Sequence, residues 1–397
     1  MNSFFASVEQ QRNPSLRHQP VAVVSHAGSR GTVLAASYEA KRFGVQTGLR
    51  LAVARELCPS LLATEPNPAL YTATHRRFMM ILRSLFGPEV QARSIDEAAL
   101  YLAPNQYGSA RCHELAVQIK QRFRQQLGEC IRCSIGIAPN SFLAKLATNL
   151  QKPDGLVEIK AVDIPEVLAR LSLTDLPGIA DRNAFRLAEH GIASPLHLYR
   201  ASADQLHKQF GIWGQYWWWR LHGYETECGP GPPKSMSHQH VLKQWLHRED
   251  EVWPVVARMT DHLIHRLRRN NWRCQSVFLG LSLERAAPLL ADYRFPSPTS
   301  QYFTLIQTIE ALLRQFTFPL AGSVRKITIG FYALQEERNG LQLDLFDTAI
   351  RGESLSQAVE SIRARFGFES IRLGETVHLH KNVAKEQIGF GRIRDRH

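Results

Sequence analysis

Residues 94–102 read Ser-Ile-Asp-Glu-Ala-Ala-Leu-Tyr-Leu, and the adjacent acids Asp96 and Glu97 decide how the chain is interpreted. Two neighbouring carboxylates at a strand or turn are costly unless a cation neutralises them. Mg²⁺ prefers oxygen ligands and often takes only one or two carboxylates together with substrate phosphates. An Asp-Glu dipeptide by itself is usually a solvated surface pair, so the interpretation depends on the sequence around it.

Composition and charge narrow the classes of function. The chain has 397 residues, which are too many for one ordinary core and predict two to four domains. A hydrophobic content of 44% excludes a disordered chain, and a formal net charge of +12 suits a polyanionic partner such as nucleic acid. No apolar run reaches the roughly 18 residues of a spanning helix. We therefore expect no membrane partner. The six cysteines are scattered along the chain, which suits a reducing cytoplasm better than a disulfide-bonded fold.

Hydrophobic periodicity and turn residues divide the chain into segments. Residues 20–65 mix short strands with glycine turns, residues 70–160 alternate helix and strand, and residues 161–225 look all-helical. The segment 229–234, Gly-Pro-Gly-Pro-Pro-Lys, has the composition of an inter-domain linker. Beyond this segment, the order strand, helix, strand, helix, strand predicts a small α+β domain.

Four further motifs accompany the acidic pair along the chain. They are Ser3-Phe4-Phe5-Ala6-Ser7-Val8-Glu9, residues 36–45 (Ala-Ser-Tyr-Glu-Ala-Lys-Arg-Phe-Gly-Val), residues 134–140 (Ser-Ile-Gly-Ile-Ala-Pro-Asn) with Leu143-Ala144-Lys145, and Lys152-Pro153-Asp154-Gly155. This ordered set resembles the Y-family of translesion DNA polymerases, nearest to its DinB or DNA polymerase IV branch. The resemblance runs from residue 1 to about residue 335, and it is specific because at least five motifs appear in order.

The resemblance implies an α+β multidomain fold. This fold is a right-hand polymerase with palm, fingers and helical thumb, plus an α+β little-finger domain. The expected bounds are 1–19 and 66–160 for the palm, 20–65 for the fingers, 161–228 for the thumb, 229–234 for the linker, 235–335 for the little finger and 336–397 for a C-terminal tail.

The resemblance also implies a metal site at the acidic pair. Asp96 and Glu97 match the second catalytic motif of the family. We therefore expect both carboxylates, together with the backbone carbonyl of Met1, to be ligands of two Mg²⁺ ions. Such ions clamp the attacking and leaving oxygens in phosphoryl transfer.

Five further residues match the nucleotide site of the family. Phe5 matches the steric gate, a ring that would clash with a ribose 2′-OH, and Phe4 lies beside it in the sequence. Tyr38 and Lys41 match the pair that contacts the incoming triphosphate, although the family commonly has arginine in place of Lys41. A lysine supplies charge there without a bidentate fork. Lys152 matches the basic residue near the nucleotide phosphates.

One departure from the family pattern concerns the start of the sequence. The first catalytic aspartate of the family lies immediately before the methionine that aligns with Met1, so the sequence as written does not contain it. The apolar strand that should carry this aspartate is also outside the sequence, and Asn2 stands at a position that is variable in the family. Two explanations stay open, a misplaced start or a non-catalytic relative that binds DNA. For the chain as written we expect little polymerase activity.

Three segments match parts of the family that bind DNA or attach the polymerase to the sliding clamp. Pro177, Gly178 and Ile179 resemble the turn of a helix-hairpin-helix element, whose backbone N–H groups bind a phosphate. In the little finger, the expected contacts with the DNA backbone are Lys234, Ser235, Arg325 and Lys326. Residues 342–346, Gln-Leu-Asp-Leu-Phe, resemble the motif by which bacterial polymerases bind the sliding clamp. In that motif, Leu345 and Phe346 would be apolar anchors, and Gln342 would form hydrogen bonds.

Together these features predict a DNA-directed DNA polymerase that adds dNTPs to a primer 3′-OH in error-prone translesion synthesis. Its expected partners are primer-template DNA, a dNTP and the bacterial sliding clamp, and the chain is expected to be a monomer. The alternative from a different class is a catalytically silent accessory protein that binds DNA and the clamp. A nuclease or cyclase with the same acids would leave the thumb, linker and little finger unexplained.

Overall fold

The computed structural model describes residues 1–28, 31–102, 108–226, 233–336, 348–372 and 374–376. The chain divides into two compact units after residue 228, so the division coincides with the start of the predicted linker. Unit 1 comprises the described residues 1–226, and unit 2 comprises those from 233 to 376. No described helix is both long and apolar enough to cross a membrane.

Unit 1 begins with a helix that packs beside a small sheet. The elements are α1 (Phe4–Arg12), β1 (Val21–Val24), β2 (Val33–Ala36), α2 (Tyr38–Lys41), α3 (Leu51–Leu57) and β3 (Leu62–Thr64). β1 is the central strand and pairs antiparallel with β2 and parallel with β3. All four residues of β1 are buried, as expected for a strand covered on both faces. Ser37 is the N-cap of the short helix α2, and its hydroxyl oxygen accepts from the Ala40 N–H.

The centre of unit 1 combines amphipathic helices with two short strand ladders. The elements are α4 (Pro68–Phe86), β4 (Gln91–Ser94), β5 (Glu97–Ala99), α5 (Ser109–Leu127), β6 (Ile135–Ile137), α6 (Ser141–Leu150) and β7 (Leu156–Glu158). β4 and β5 form an antiparallel hairpin, whereas β6 and β7 pair in parallel. The apolar faces of α4 and α5 meet through Phe78 and Phe123 and share one core with α1.

The last part of unit 1 is helical, as the sequence predicts. Its helices are α7 (Ile164–Ala169), α8 (Asp181–Glu189), α9 (Pro195–Arg200), α10 (Ala203–Phe210) and α11 (Ile212–Leu221). They share one apolar core with α6. α10 and α11 pack closely because Gly214 lies against the Leu206 carbonyl, where a Cβ would come within 2.1 Å of its oxygen.

Unit 2 is a sheet with helices on one face. Its elements are β8 (Ser235–Leu246), α12 (Glu249–Arg269), β9 (Trp272–Leu283), β10 (Leu289–Thr299), α13 (Tyr302–Leu313), β11 (Val324–Tyr332), β12 (Gln335–Glu336) and α14 (Thr348–Phe366). The four long strands are antiparallel in the order β10-β9-β11-β8. The predicted element order was wrong in one respect, because it omitted β10. This strand contains Pro296 and Pro298, and prolines are tolerated there because β10 is at the edge of the four-strand order.

Candidate functional site

The acidic pair lies at the tip of the β4–β5 hairpin. Ser94 pairs with Glu97 across the ladder, so Ile95 and Asp96 form the turn. The Ser94 hydroxyl donates to the Asp96 carboxylate over 2.7 Å. From α4, the Nδ1 atom of buried His75 donates to the Ile95 carbonyl oxygen over 2.9 Å. The turn is therefore held from its own strand and from a neighbouring helix, and both carboxylates remain half-exposed.

Asn2 connects three segments that are distant in the sequence. Its side chain is 3% exposed, and its amide nitrogen donates to the Ser134 hydroxyl over 3.1 Å and, more weakly, to the Tyr38 hydroxyl over 3.5 Å. The Asn2 Oδ1 atom accepts from the Asp154 N–H over 3.0 Å. The backbone next to it is also engaged, since the Met1 amino group donates to the Asp96 carbonyl oxygen. Met1 and Asn2 together thus link the acidic turn, α2 and the segment that carries Lys152.

Lysine side chains provide positive charge beside the two acids. Lys145 on α6 forms an ion pair with the Glu97 carboxylate. Partial loss of water around Lys152 lowers the pKa of its ammonium group, and the charge of Lys145 lowers this pKa further, while Glu97 and Asp96 oppose the shift. Partial desolvation also lowers the pKa of Lys41, and the charge of Lys152 adds to the effect. The Lys152 ammonium thus repels those of both Lys145 and Lys41 while it attracts the two acids, and this arrangement suits a ligand that carries both phosphates and a cation.

The aromatic residues of the predicted nucleotide site lie deeper in the protein. Phe5 is 5% exposed and stacks on Tyr71, with ring centroids 4.4 Å apart and an interplanar angle of 14°. Phe4 is 4% exposed and contacts the Phe78 ring edge-on. The Tyr38 ring lies nearer the lysines, with the Lys41 ammonium 4.6 Å from its centroid.

A cleft of about 900 Å³ connects several of these residues. Met1, Asn2, the two acids, Lys145 and Lys152 line its polar part, whereas Phe4, Phe5, Tyr38 and Lys41 are not part of its lining. Much of the remaining wall is apolar and comes from α4, α5 and the strands β5 and β6, through side chains that include Leu82, Leu115, Phe123 and Ile135, although charged side chains such as Arg93 and Glu158 also line it. The cleft thus combines a charged site with an apolar space between two strand ladders.

The donor set at the acidic turn fits a hard divalent cation that also binds phosphate. Among the described residues, no three His, Cys, Asp or Glu side chains are arranged to hold a metal ion by themselves. Two carboxylates suffice for Mg²⁺ when substrate phosphates complete its coordination. The Glu97 carboxylate already forms an ion pair with the Lys145 ammonium, so the position of this carboxylate suits a positive charge, as a metal site requires.

The residues expected to bind DNA are found on both units. In unit 1, Gly178 has a φ of +84° and lies in open space, and Ile179 is buried beneath the turn that precedes α8. In unit 2, Lys234 and Ser235 lie at the start of β8, and Arg325 of β11 lies over the Trp245 ring. The predicted clamp-binding residues Gln342, Leu345 and Phe346 lie outside the described residues.

Two residues of this site were not among the predicted site residues. Lys145 was part of a family motif, yet the sequence does not show that its side chain would reach Glu97, which is 48 positions away. Asn2 was assigned no role, although its partners lie up to 152 positions away in the sequence. Buried polar side chains generally have hydrogen-bond partners, but only the folded chain reveals that Asn2 is buried and which groups it contacts.

Comparisons with known proteins agree with this geometry. A profile described as impB/mucB/samB family matches residues 1–149, and the profile of its C-terminal domain matches residues 233–345. The DNA polymerase IV of Pelotomaculum thermopropionicum is 32% identical over 382 residues, which cover 94% of this chain and 92% of that protein. The DNA polymerase IV 1 of Bacillus subtilis is 29% identical over 395 residues, covering 97% of this chain and 94% of the relative.

Solved structures point to the same family. A Y-family DNA polymerase chimera of Dbh and Dpo4 superposes with a TM-score of 0.71 at 25% identity, and the match covers 84% of this chain and 97% of the chimera. The predicted α+β multidomain, right-hand polymerase fold is therefore confirmed. With two matching profiles and relatives aligned over nearly their whole length, the chain belongs to the Y-family of DNA polymerases, in the branch of the DNA polymerase IV proteins.

Proposed function

We propose that this chain is a DNA-directed DNA polymerase that adds a dNTP to a primer 3′-OH during translesion synthesis. The observation that carries the proposal is the meeting of the Asp96–Glu97 turn with the lysines Lys145 and Lys152 at one cleft. Nucleotidyl transfer needs a cation beside the α-phosphate and positive charge along the leaving pyrophosphate. The cleft offers both within one unit.

Asp96 and Glu97, with the Met1 backbone carbonyl, would hold Mg²⁺, and we propose two ions. When bound, the metal neutralises the charge that develops on the phosphate oxygens. The hydrogen bond from Ser94 to Asp96 fixes the orientation of that carboxylate. The ion pair with Lys145 holds the Glu97 carboxylate beside the acidic turn.

The nucleotide would be bound by the chain's own cations and rings. We assign the triphosphate to Lys41 and Lys152, with Tyr38 beside them, because the pKa shifts of the two lysines indicate that their charges are crowded. Phe5 would exclude a ribose 2′-OH, and its stacking on Tyr71 makes the ring hard to displace. Phe4 would act only indirectly, by packing against Phe5.

Primer-template DNA would be held through its phosphates. The turn at Gly178 presents backbone to solvent ahead of the α8 N-terminus, which suits a phosphate of the primer strand. Lys234, Ser235, Arg325 and Lys326 would contact the backbone from the little finger. Contacts of this kind carry no sequence information, which suits a polymerase.

Further parts of the proposal concern domain bounds, partners and location. We propose a palm at 1–19 and 66–160, fingers at 20–65, a thumb at 161–228 and a little finger at 235–335. Separate apolar cores support the fingers and the little finger, whereas α6 of the palm shares the core of the thumb helices. We propose that residues 342–346 bind the sliding clamp and that the protein acts as a monomer. The described cysteines are free thiols, which suits a reducing cytoplasm.

Mg²⁺-dependent dNTP binding tests the proposed roles of the acids without relying on turnover. Fluorescence titration of the full chain with primer-template DNA and a dNTP should show binding that Mg²⁺ strengthens. Asp96→Asn and Glu97→Gln should remove most of the Mg²⁺ dependence, whereas Glu89→Gln, an exposed acid just before the same hairpin, should not. Unchanged Mg²⁺ dependence in both site variants would count against the proposal.

The relatives favour this function over the alternative of a silent accessory protein. They are named as DNA polymerases, and the alignment with this chain covers more than nine-tenths of each of them. A silent scaffold would also have little use for crowded lysines beside paired acids. Primer extension separates the two functions, because a scaffold binds primer-template DNA without lengthening the primer.

A further inference from the structure

Helix α1 carries a buried acid, Glu9, one turn after Phe5. Glu9 is 4% exposed and Phe5 is 5% exposed, and a separation of one helical turn places both side chains on the same face of α1. A glutamate is almost never fully buried unless a partner compensates for the lost water. The contacts of Glu9 therefore indicate what its carboxylate does.

Tyr71 of α4 contacts both of these residues. Its hydroxyl donates to the Glu9 Oε1 atom over 2.8 Å, and its ring lies nearly parallel to the Phe5 ring, with centroids 4.4 Å apart. Tyr71 is 1% exposed, so water does not compete for the hydroxyl. One end of the Tyr71 ring is thus bonded to Glu9, while its face supports Phe5.

A mostly exposed arginine compensates the Glu9 charge only in part. The Arg12 Nη1 atom lies 3.9 Å from the Glu9 Oε2 atom, and the Arg12 side chain is 59% exposed. An ion pair with such an exposed partner contributes little. The hydrogen bond from Tyr71 is therefore the stronger of these two contacts.

The Tyr71 hydroxyl is well suited to be a permanent donor. Burial raises its pKa, and the hydrogen bond with Glu9 adds to the shift, whereas the Asn67 backbone opposes it. The hydroxyl therefore stays protonated at neutral pH. A hydrogen bond to an ionised acceptor is directional and about twice as strong as a neutral one, so it defines the position of the ring more narrowly than an apolar neighbour would.

We propose that Glu9 is a positioning residue for sugar selection, because it fixes Tyr71, and Tyr71 in turn supports the Phe5 ring against an incoming nucleotide. A steric gate must resist displacement when a ribose 2′-OH presses on it. Displacement of Phe5 would push on Tyr71, whose hydroxyl is held by the same helix that carries Phe5. The inference rests on the proposed function, since Phe5 can select a sugar only if the site binds a nucleotide.

The competing explanation is that this hydrogen bond only joins α1 to α4. Its loss would then lower the stability of the fold without changing how the folded protein ranks two sugars. A positioning role predicts a change in that ranking. The two explanations therefore diverge for variants that remain folded.

The test measures the affinities of the full chain for dATP and ATP opposite a template thymine. The primer ends in a dideoxynucleotide, so fluorescence titration with Mg²⁺ reports binding without turnover. Glu9→Leu removes the acceptor, Glu9→Gln keeps one, and Tyr71→Phe keeps the ring without its hydroxyl. Gln11→Leu is the control, since the Gln11 side chain on the same helix accepts from the Cys130 N–H over 3.0 Å. Urea unfolding verifies that each variant is folded.

We expect the unaltered chain to bind dATP at least about tenfold more tightly than ATP. Glu9→Leu and Tyr71→Phe should each lower this preference at least about threefold, because a small misplacement of a contact group has large effects. Glu9→Gln and Gln11→Leu should retain the preference. If Glu9→Leu does not fold, Tyr71→Phe decides, since it leaves the stacked ring in place.

Folded Glu9→Leu and Tyr71→Phe proteins with the unaltered preference would overturn the positioning role and leave the proposed function intact. Equal affinity of the unaltered chain for dATP and ATP would also overturn this role. A chain that binds neither nucleotide would instead contradict the proposed function, and the positioning role would fall with it.

Discussion

The ammonium groups of Lys41 and Lys152 are crowded, and their charges respond to pH more readily than those of ordinary lysines. Desolvation lowers both pKa values, with a further contribution from Lys152 on Lys41 and from Lys145 on Lys152. A lysine with a lowered pKa is charged below that pKa and becomes neutral as the pH rises through it. If these lysines bind the triphosphate, nucleotide affinity must therefore depend on alkaline pH.

We predict that dNTP affinity falls as the pH rises, and that the fall begins below the ordinary lysine pKa of 10.5. Lys152→Arg should keep its charge over this range, because the guanidinium pKa is above about 12, and should make the affinity less dependent on pH. Fluorescence titration of the dNTP at several alkaline pH values measures the effect. Lys208→Arg, an exposed lysine on α10, is the control, and identical pH profiles for all three proteins would refute the assignment.

Asn2 has a structural role that its position in the sequence does not suggest. Its hydrogen bonds to Ser134 and Asp154 hold the segment that bears Lys152 against the start of α1. When a buried amide is removed, the donors and acceptors that it contacted stay buried without a partner, which costs free energy. Removal of this side chain should therefore affect both folding stability and the placement of the lysine.

We predict that Asn2→Ala lowers the free energy of unfolding by about 1–3 kcal/mol and also weakens dNTP affinity. Urea unfolding and dNTP titration measure the two effects. Asn13→Ala at the other end of α1 is the matched control, since the Asn13 side chain bonds to nearby Ser15. It should leave dNTP affinity unchanged. An Asn2→Ala protein with normal dNTP affinity would show that Asn2 does not position the site.

At the residue scale, the sequence predicted what local motifs encode. Asp96 and Glu97 could be identified because an acidic pair stands within an ordered series of motifs, and the structure places them in a turn at a cleft. The role of Asn2 could not be predicted, because it depends on hydrogen bonds to residues more than 130 positions away. Long-range partners of this kind follow from the fold and leave no local pattern.

Among the elements, α14 makes the least expected contact. It packs on the helical face of unit 2, where Arg363 forms two hydrogen bonds of 2.7 and 2.8 Å with the Asp261 carboxylate of α12. The Tyr302 hydroxyl on α13 donates to the same carboxylate over 2.8 Å. The Asp261 and Arg363 side chains are 5% and 1% exposed. The pair therefore joins three helices in a setting that excludes water.

We predict that Asp261→Ala lowers the free energy of unfolding by about 3–5 kcal/mol, because it leaves the buried Arg363 charge with only the more distant Glu360 carboxylate, 3.9 Å away. The double variant Asp261→Ala/Arg363→Met should lose much less than the sum of the two single variants. Urea unfolding measures each value. Glu166→Ala is the control, since its pair with Arg170 is largely exposed and should contribute less than about 1 kcal/mol. Additive effects of the two buried substitutions would contradict the proposed coupling.

The elements themselves differ in how well a sequence predicts them. The strand at Val324–Tyr332 and the helix α5 follow from clear hydrophobic patterns. β10 was missed because an edge strand needs fewer backbone donors and so tolerates prolines that normally argue against a strand. The contact of α14 with α12 could not be predicted either, since hydrophobic periodicity does not identify which face a helix will cover.

At the scale of the molecule, the cleft of unit 1 joins segments that are distant in the sequence. The Met1 amino group donates to the Asp96 carbonyl oxygen, and the Asn2 N–H donates to the Arg132 carbonyl oxygen. Apolar side chains of β5 and β6 line the cleft beside them, together with charged side chains such as Arg93 and Glu158. The start of the sequence, the acidic pair and two strand ladders thus meet within one unit, as the proposed polymerase site requires.

Single-nucleotide primer extension with Mg²⁺ tests the polymerase assignment most directly. The measurement compares the chain with its Asp96→Asn variant, and Glu89→Gln is the control. We predict that the chain incorporates the templated dNTP at a measurable rate, and that Asp96→Asn lowers this rate at least about 100-fold, since loss of one transition-state contact can cost about 10²–10³ in rate. A chain that binds primer-template DNA without incorporating a nucleotide, or incorporation that survives Asp96→Asn, would contradict it.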